Sequence, residues 1–387
     1  MLKKINKKFP KIIFLLILIS IILSELFFFF FYNPCITSGD GKKIQEALKR
    51  KKSKIKLCQG SVFLLNEPIT FTEPFQELFT EGLPSESDKK ALLKIVDNKF
   101  SIAVNAYNQN GVKIKNIKVD GNRRVLGHLK SHGLILVGGN VDSQEVDNIE
   151  AFDSRSWTTI HVNWGNLYTD EKGNKRSNCQ NVKVTNNIIY SSGEEEDGKW
   201  SDGISVQCEK SFIANNTITD VTDGGIVIFG APDSEIVNNN IKAVNKSLLV
   251  GIALVDYLDY KGNYDNVQVT GNNISSEGGY IRVGMAMGSR TWHCPDKKET
   301  ILNHGAVIRN NILIGSNFGY GYVVNGVNNW TVEGNRSEAF FKGAPGHGCG
   351  FVNSSPAPFL IDKNYSQGSF QKEFKEGRAE KIHDIKP

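Results

Sequence analysis

A chain of 387 residues that is 40% apolar, 22% charged and 10% aromatic can build one large core or two ordinary ones, and it lies outside the disordered range. Its formal charge of +5 is confined to Lys3, Lys4, Lys7, Lys8 and Lys11; the rest balances acid and base, so nucleic acid is not an expected partner. The 37 glycines and abundant asparagines imply frequent turns, because both residues tolerate positive φ.

In chain order, the first element is apolar. Residues 12–32, IIFLLILISIILSELFFFFFY, are interrupted only by Ser20, Ser24 and Glu25. That matches the roughly 20 residues of a membrane-spanning helix. No small-residue cleavage site follows, and the lysines lie on the N-terminal side. The expectation is a signal anchor with residues 1–11 as a cytosolic tail. The body beyond about residue 33 then lies in the secretory lumen or outside the cell. A cleaved signal peptide, giving a secreted body, is the alternative, and Glu25 weakens the span.

Six cysteines, Cys35, Cys58, Cys179, Cys208, Cys294 and Cys349, form an even set without C-x-x-C spacing, as three disulfides in an oxidising compartment would. Sequons begin at Asn215, Asn245, Asn273, Asn329, Asn335, Asn353 and Asn364, which makes glycosylation an expectation. Some sequons arise by chance in an Asn-rich chain.

Residues 33–60 read as a linker and cap. Ile44, Ala47 and Leu48 make one apolar stripe of a short basic helix, followed by a strand in IKLCQGSVFLL. The basic face is read as solvated, with lipid-headgroup contact as the alternative. Cys35 and Cys58 flank this unit, and a bridge between them would close it.

From there to about residue 365 the chain repeats. The pattern aliphatic-x-x-Asn recurs as VTNN (184–187), IANN (213–216), IVNN (236–239), VTGN (269–272), IRNN (308–311), VEGN (332–335) and IDKN (361–364). Short alternating apolar runs lie between, among them WTTIHVNW, DGISVQC, GGIVIFG and VGIALVD. Units of this period stack as a solenoid, and Ile/Val runs at period two predict strands, two or three per coil. The aligned asparagines, 187, 216, 239, 272, 311, 335 and 364, are expected to form an amide ladder. Residues 366–387 read as a polar tail.

This pattern resembles the right-handed parallel β-helix, or pectin-lyase-like, superfamily over roughly residues 40–365. The opening DGKKIQEAL and the segment IKNIKVDGN (114–122) are similar to the cap and early coil of such proteins. The resemblance implies an all-β solenoid, but not an activity, because lyases, hydrolases, epimerases and non-catalytic proteins share the fold.

Stacking places equivalent residues of adjacent coils side by side. Aligning Gly203 with Gly225 brings Asp202 and Asp223 onto successive coils, about 5–8 Å apart. Such a pair can split its pKa values into an acid and a base or nucleophile, as glycoside hydrolysis requires. Asp-Gly is equally a turn dipeptide, so two turns are the competing account. Aligning Ile160 with Ile204 sets His161 beside Ser205 and Asn163 beside Gln207, all outward, with Phe229 continuing the second column as an exposed stacking surface. His161 is a candidate general base or a solvated histidine. Arg155 is a candidate helper for an acidic group or a turn residue, and Trp157 a ring platform or packed edge. Asp256 extends the acidic face or begins a loop.

Other motifs carry less. The run EEEDGKW (194–200) reads as a solvated loop, with calcium capture the alternative. The triplet G-H-G in APGHGCG (344–350) occurs in polygalacturonases, but its companion paired aspartates and Arg-x-Lys are missing, and His347 is read as a loop residue. No D-P-H-D signature of mannuronan epimerases and no cofactor motif is present. The functional expectation is a membrane-anchored protein acting on polysaccharide, as a glycoside hydrolase or lyase. The alternative is a non-catalytic carbohydrate-binding or wall-structural β-helix, and a tailspike-like adhesin is disfavoured by the membrane segment.

Overall fold

The computed structural model describes residues 34–379, apart from 172, 197, 257–261, 292–301, 345–346, 349–350 and 353. The cytosolic tail, the membrane span, Cys294, Cys349 and Asn353 therefore lie outside the described residues. Among the described residues no helix is long and apolar enough to cross a membrane.

Each coil contributes three strands. One coil runs Val182–Thr185, Ile188–Tyr190 and Asp202–Val206, and the next runs Phe212–Ala214, Thr217–Thr219 and Gly224–Ile228. A third follows as Glu235–Val237, Asn240–Ala243 and Leu248–Leu254. The first strands of the coils stack into one parallel sheet, and the second and third stack into a larger sheet bent around the solenoid. Register is strict: Ile160, Ile204, Ile226, Ile252 and Met285 pair in sequence and all point into the core. Ile189, Ile218, Ile241, Ile274 and Leu313 form a second buried column. Each fully buried aliphatic contributes roughly 1.5–3 kcal/mol, so the core runs the length of the solenoid.

The Asn turns explain their own sequence. Asn187 Nδ2 donates to Asn216 Oδ1 at 2.8 Å, and the same bond recurs at 2.9 Å from Asn216 to Asn239, Asn239 to Asn272, Asn272 to Asn311 and Asn311 to Asn335. The residue before each rung has positive φ: Asn186 +57°, Asn215 +58°, Asn238 +55°, Gly271 +70°, Asn310 +56° and Gly334 +68°. That conformation admits Gly and Asn most readily, which is why the repeat alternates between N-N and G-N. Asn364 is not a rung. It is exposed, and Gln371 takes the next place, its Oε1 accepting the Asn335 amide at 3.0 Å.

The solenoid reaches beyond residues 61–365 at both ends. The helix Lys42–Leu48 caps it, burying Ile44 and Leu48, and the strand Lys54–Leu57 already pairs with Glu77–Thr80. At the other end Ser366–Phe370 pairs with Val327–Glu333, and Lys375–Glu376 with Phe359–Ile361, so the tail supplies strands. Disulfides join Cys35 to Cys58 across the cap and Cys179 to Cys208 between coils.

Candidate active site

From Gly203 onward a glycine column, continued by Gly225, Gly251 and Gly284, runs through the third strands of successive coils. A Cβ on Gly203 would stand 2.5 Å from Gly225 O, and one on Gly225 2.5 Å from Gly251 O. Only glycine lets the coils pass this closely, and the bend they permit carries Asp202 and Asp223 to the outer side. Register pairs Thr158 with Asp202 and Ile204 with Ile226, which sets Asp202 opposite Gly224 and Asp223 just before it. The two carboxylates are neighbours on adjacent coils, as their alignment implied.

Their surroundings differ. Asp202 is buried; its Oδ1 accepts the Gly224 amide at 2.8 Å, and its Oδ2 lies 2.7 Å from Ser205 Oγ. Ser205 Oγ is in turn 2.8 Å from Thr158 Oγ1. Burial raises the Asp202 pKa to about 7 against these two hydrogen bonds, which favour its charged form. Asp223 is half-buried, yet its Oδ1 is inaccessible and has no hydrogen-bond partner. Burial first, then the charge of Asp202, raises its pKa well above the usual carboxylate range. The arrangement is a carboxylate with donors beside a carboxyl group without them, so of the two Asp223 has nothing that favours its charged form.

His161 stands one coil upstream, paired with Ser205, and is buried rather than solvated. Its Nε2 lies 3.1 Å from Gln207 Oε1, which fixes the proton on Nε2 and leaves buried Nδ1 as an acceptor without a partner. Burial lowers its pKa to about 3, against the Gln207 bond and aided by His132. A neutral imidazole of that basicity is a poor general base at neutral pH, which corrects the expected role. His132 stacks on it at 5.7 Å, and half-buried Trp157 meets it edge-on at 4.7 Å.

Three expectations fail on geometry. Arg155 is buried, and its five N–H groups donate to the carbonyls of Asp97, Asn98, Phe100, Leu126 and Gly127, leaving none for a ligand. Phe229 points outward from the sheet but is only 6% exposed, packed with Val227, Ala253 and Val255 in a second apolar cluster. Asp256 accepts the Gly262 amide at 3.0 Å, and the Asn303 amide nitrogen, correctly oriented, faces both its oxygens at 2.8 and 2.9 Å; it anchors a loop. Asn163 is half-buried at the end of the His161 strand. Among the described residues no cluster of His, Cys, Asp and Glu is suited to hold a metal ion.

His132 and Thr158 also border the site and were missed, the first for want of a readable signal. His132 lies outside any repeat, in a segment fastened by Ser156, whose hydroxyl accepts the Ser131 amide at 3.1 Å. Thr158 would have been found by extending the Ile160–Ile204 alignment two residues upstream.

No protein-family model matches the sequence, and no curated protein sequence does. Among solved structures the chain is similar to the mannuronan C-5 epimerase A-module of Azotobacter vinelandii, at 13% identity and TM-score 0.49, covering 83% of this chain and 97% of that one. It is also similar to an alginate lyase from a Paenibacillus species, at 11% identity and TM-score 0.38, covering 80% and 98%. An endo-xylogalacturonan hydrolase from Aspergillus tubingensis matches at 10% identity and TM-score 0.43, covering 87% and 99%. What decides the fold is the chain's own unbroken parallel register, three strands to a coil, along one amide ladder. The chain folds as a parallel β-helix. In this β-helix the acid pair sits on the outer side of the third-strand face, half-exposed Asp223 in front and Asp202 behind it.

Proposed function

We propose that this β-helix hydrolyses glycosidic bonds, with Asp223 as the general acid and Asp202 holding its proton in place. The observation that carries this reading is the Asp223 carboxyl, its buried Oδ1 without a hydrogen-bond partner and its pKa pushed up by burial, beside a carboxylate that receives two donors. A carboxylic acid still protonated near neutral pH is what departure of a sugar oxygen requires. In the step, the Asp223 proton passes to the leaving oxygen, the glycosidic C–O bond breaks, and water adds to the anomeric carbon while its proton returns to the pair. Lyase chemistry is less well served, because the arginine expected to neutralise an acidic group is held by backbone carbonyls.

The reading extends to location. The apolar run 12–32 would anchor the body on the lumenal or outer side of a membrane, with a glycan as its partner; the two disulfides support an oxidising compartment. A second reading, a non-catalytic carbohydrate-binding or wall-structural β-helix, is favoured by one observation: Asp202 bonds a backbone amide of the next coil. Reducing-end release by the full chain on a polysaccharide panel separates the two. Asp223→Asn is expected to lower turnover by about 10²–10⁴-fold. Unchanged turnover in both Asp202→Asn and Asp223→Asn, or none by the wild type on any polymer, would sink the hydrolase reading.

A further inference from the structure

The acid pair has charge of its own, and the basic side chains around it are committed elsewhere. Arg155 gives all five donors to carbonyls. Buried Arg123 bonds Glu194 Oε1 at 2.9 Å and the carbonyls of Ser154 and Lys199. Lys199 pairs with Glu196 at 2.7 Å and Glu194 at 3.8 Å. Half-buried Lys246 donates to the carbonyls of Ser191 and Gly193, in the same loop that leads into Asp202. Register places Arg282 two coils beyond Asp223 in its column, with Leu249 between them. Among the described residues no cation is hydrogen-bonded or ion-paired to either carboxylate.

What does border the pair is uncharged: half-buried Trp157 at the surface, and beneath it the buried Thr158 and Ser205 hydroxyls and the buried His161 ring. Aromatic faces and neutral acceptors suit sugar rings and hydroxyls. A carboxylate on a bound ring would instead add a second negative charge beside Asp202 with no cation paired to offset it, and like charges repel.

We infer that the ring seated at Asp202 and Asp223 is a neutral sugar, and that the site discriminates against uronates. This rests on the carbohydrate reading above and narrows it to a substrate class. Charge exclusion, not a missing contact, is the source of selectivity, so it acts on any polyuronate whatever its linkage.

The test is a matched pair of polymers: polygalacturonate and the same polymer with its carboxyl groups reduced, run against the full chain in affinity electrophoresis beside neutral glucans, galactans and mannans. At least one neutral polymer is expected to bind, about tenfold or more tighter than any polyuronate at equal salt. The carboxyl-reduced polymer is expected to bind better than its parent. In Asp202→Asn the gap between parent and reduced polymer should narrow. Preference for the polyuronates would overturn the inference and leave the carbohydrate reading standing, whereas retention by no polymer of either kind would overturn both. The wild-type comparison stands by itself if the variant fails to fold.

Discussion

Asp202 and Gly224 are joined across adjacent coils: Asp202 Oδ1 accepts the Gly224 amide hydrogen at 2.8 Å, and this holds a carboxylate beside Asp223. An Asn at 202 keeps an acceptor for Gly224 but removes the charge that helps raise Asp223. Under the hydrolase reading, the alkaline limb of the pH–rate profile should therefore move to lower pH in Asp202→Asn. A limb that stays in place would show that Asp202 does not act through Asp223.

Stability should also carry the signature of the pair. Both folded pKa values lie above the ordinary 3.8, so the folded state holds more protons there and stability falls as pH rises, through about 7 for Asp202 and in the same sense for Asp223. His161 is depressed from 6.5 to about 3 and works in the opposite sense between those values. Above about pH 6.5 only the acids remain of the three. The unfolding free energy, read by denaturant titration, is expected to fall between pH 6.5 and 8, by up to about 1.4 kcal/mol per pH unit for each group still titrating. The slope should flatten in Asp223→Asn; an equal slope in the variant would remove Asp223 from the account.

Gly225→Ala tests the glycine column. Its Cβ would meet Gly251 O at 2.5 Å and Ile241 Cγ2 at 2.6 Å, one a rigid backbone atom and the other deep in the core. A loss of about 3 kcal/mol or more is expected in denaturant titration. Since φ is not positive here, a small loss would mean that the coils can separate locally.

Within the ladder, Asn239→Ala removes the acceptor used by both the backbone amide and the Nδ2 of Asn216. It also removes the donor to Ile213 O and Asn272 Oδ1. Several buried polar groups lose partners at once, and about 3 kcal/mol or more should be lost. Retention of wild-type stability would argue that water replaces the rung.

The sequons should divide by burial. Asn335 is buried, its Nδ2 donating to Ile308 O at 2.9 Å, so a glycan there would exclude the ladder. Asn215, Asn245, Asn329 and Asn364 are exposed, and Asn273 is half-buried with an inaccessible Oδ1. Glycopeptide mass spectrometry of the chain from a glycosylating host should find Asn335 unmodified and occupancy among the exposed four. A glycan on Asn335 in folded protein would contradict its place in the ladder.

The coil was legible because stacking repeats local chemistry: the N-N and G-N pairs, the Ile columns and the alignment of Asp202 with Gly224 all follow from one register. Burial was not. Period two correctly sends Phe229 and His161 outward, but outward is not exposed, and what packs over a sheet face is set by segments far away in sequence. Arg155 shows the same limit. Its five acceptors come from residues 97–100 and 126–127, and no spacing near position 155 reveals them. Asn364 matched the motif letter by letter, yet the chain reached Gln371 before it laid down the next rung.

The amide ladder also makes the solenoid a ruler with fixed graduations. From Asn216 to Asn239 one turn takes 23 residues, and duplicating that turn elsewhere would add one strand spacing, about 4.8 Å, without disturbing the columns on either side. A duplicate placed between Asp202 and Asp223 is different: it would move the two carboxyls one graduation apart and weaken the effect of one on the other. A change of length by whole turns is therefore tolerated only away from such ties between coils, the step that the two aspartates span and the Cys179–Cys208 bridge among them.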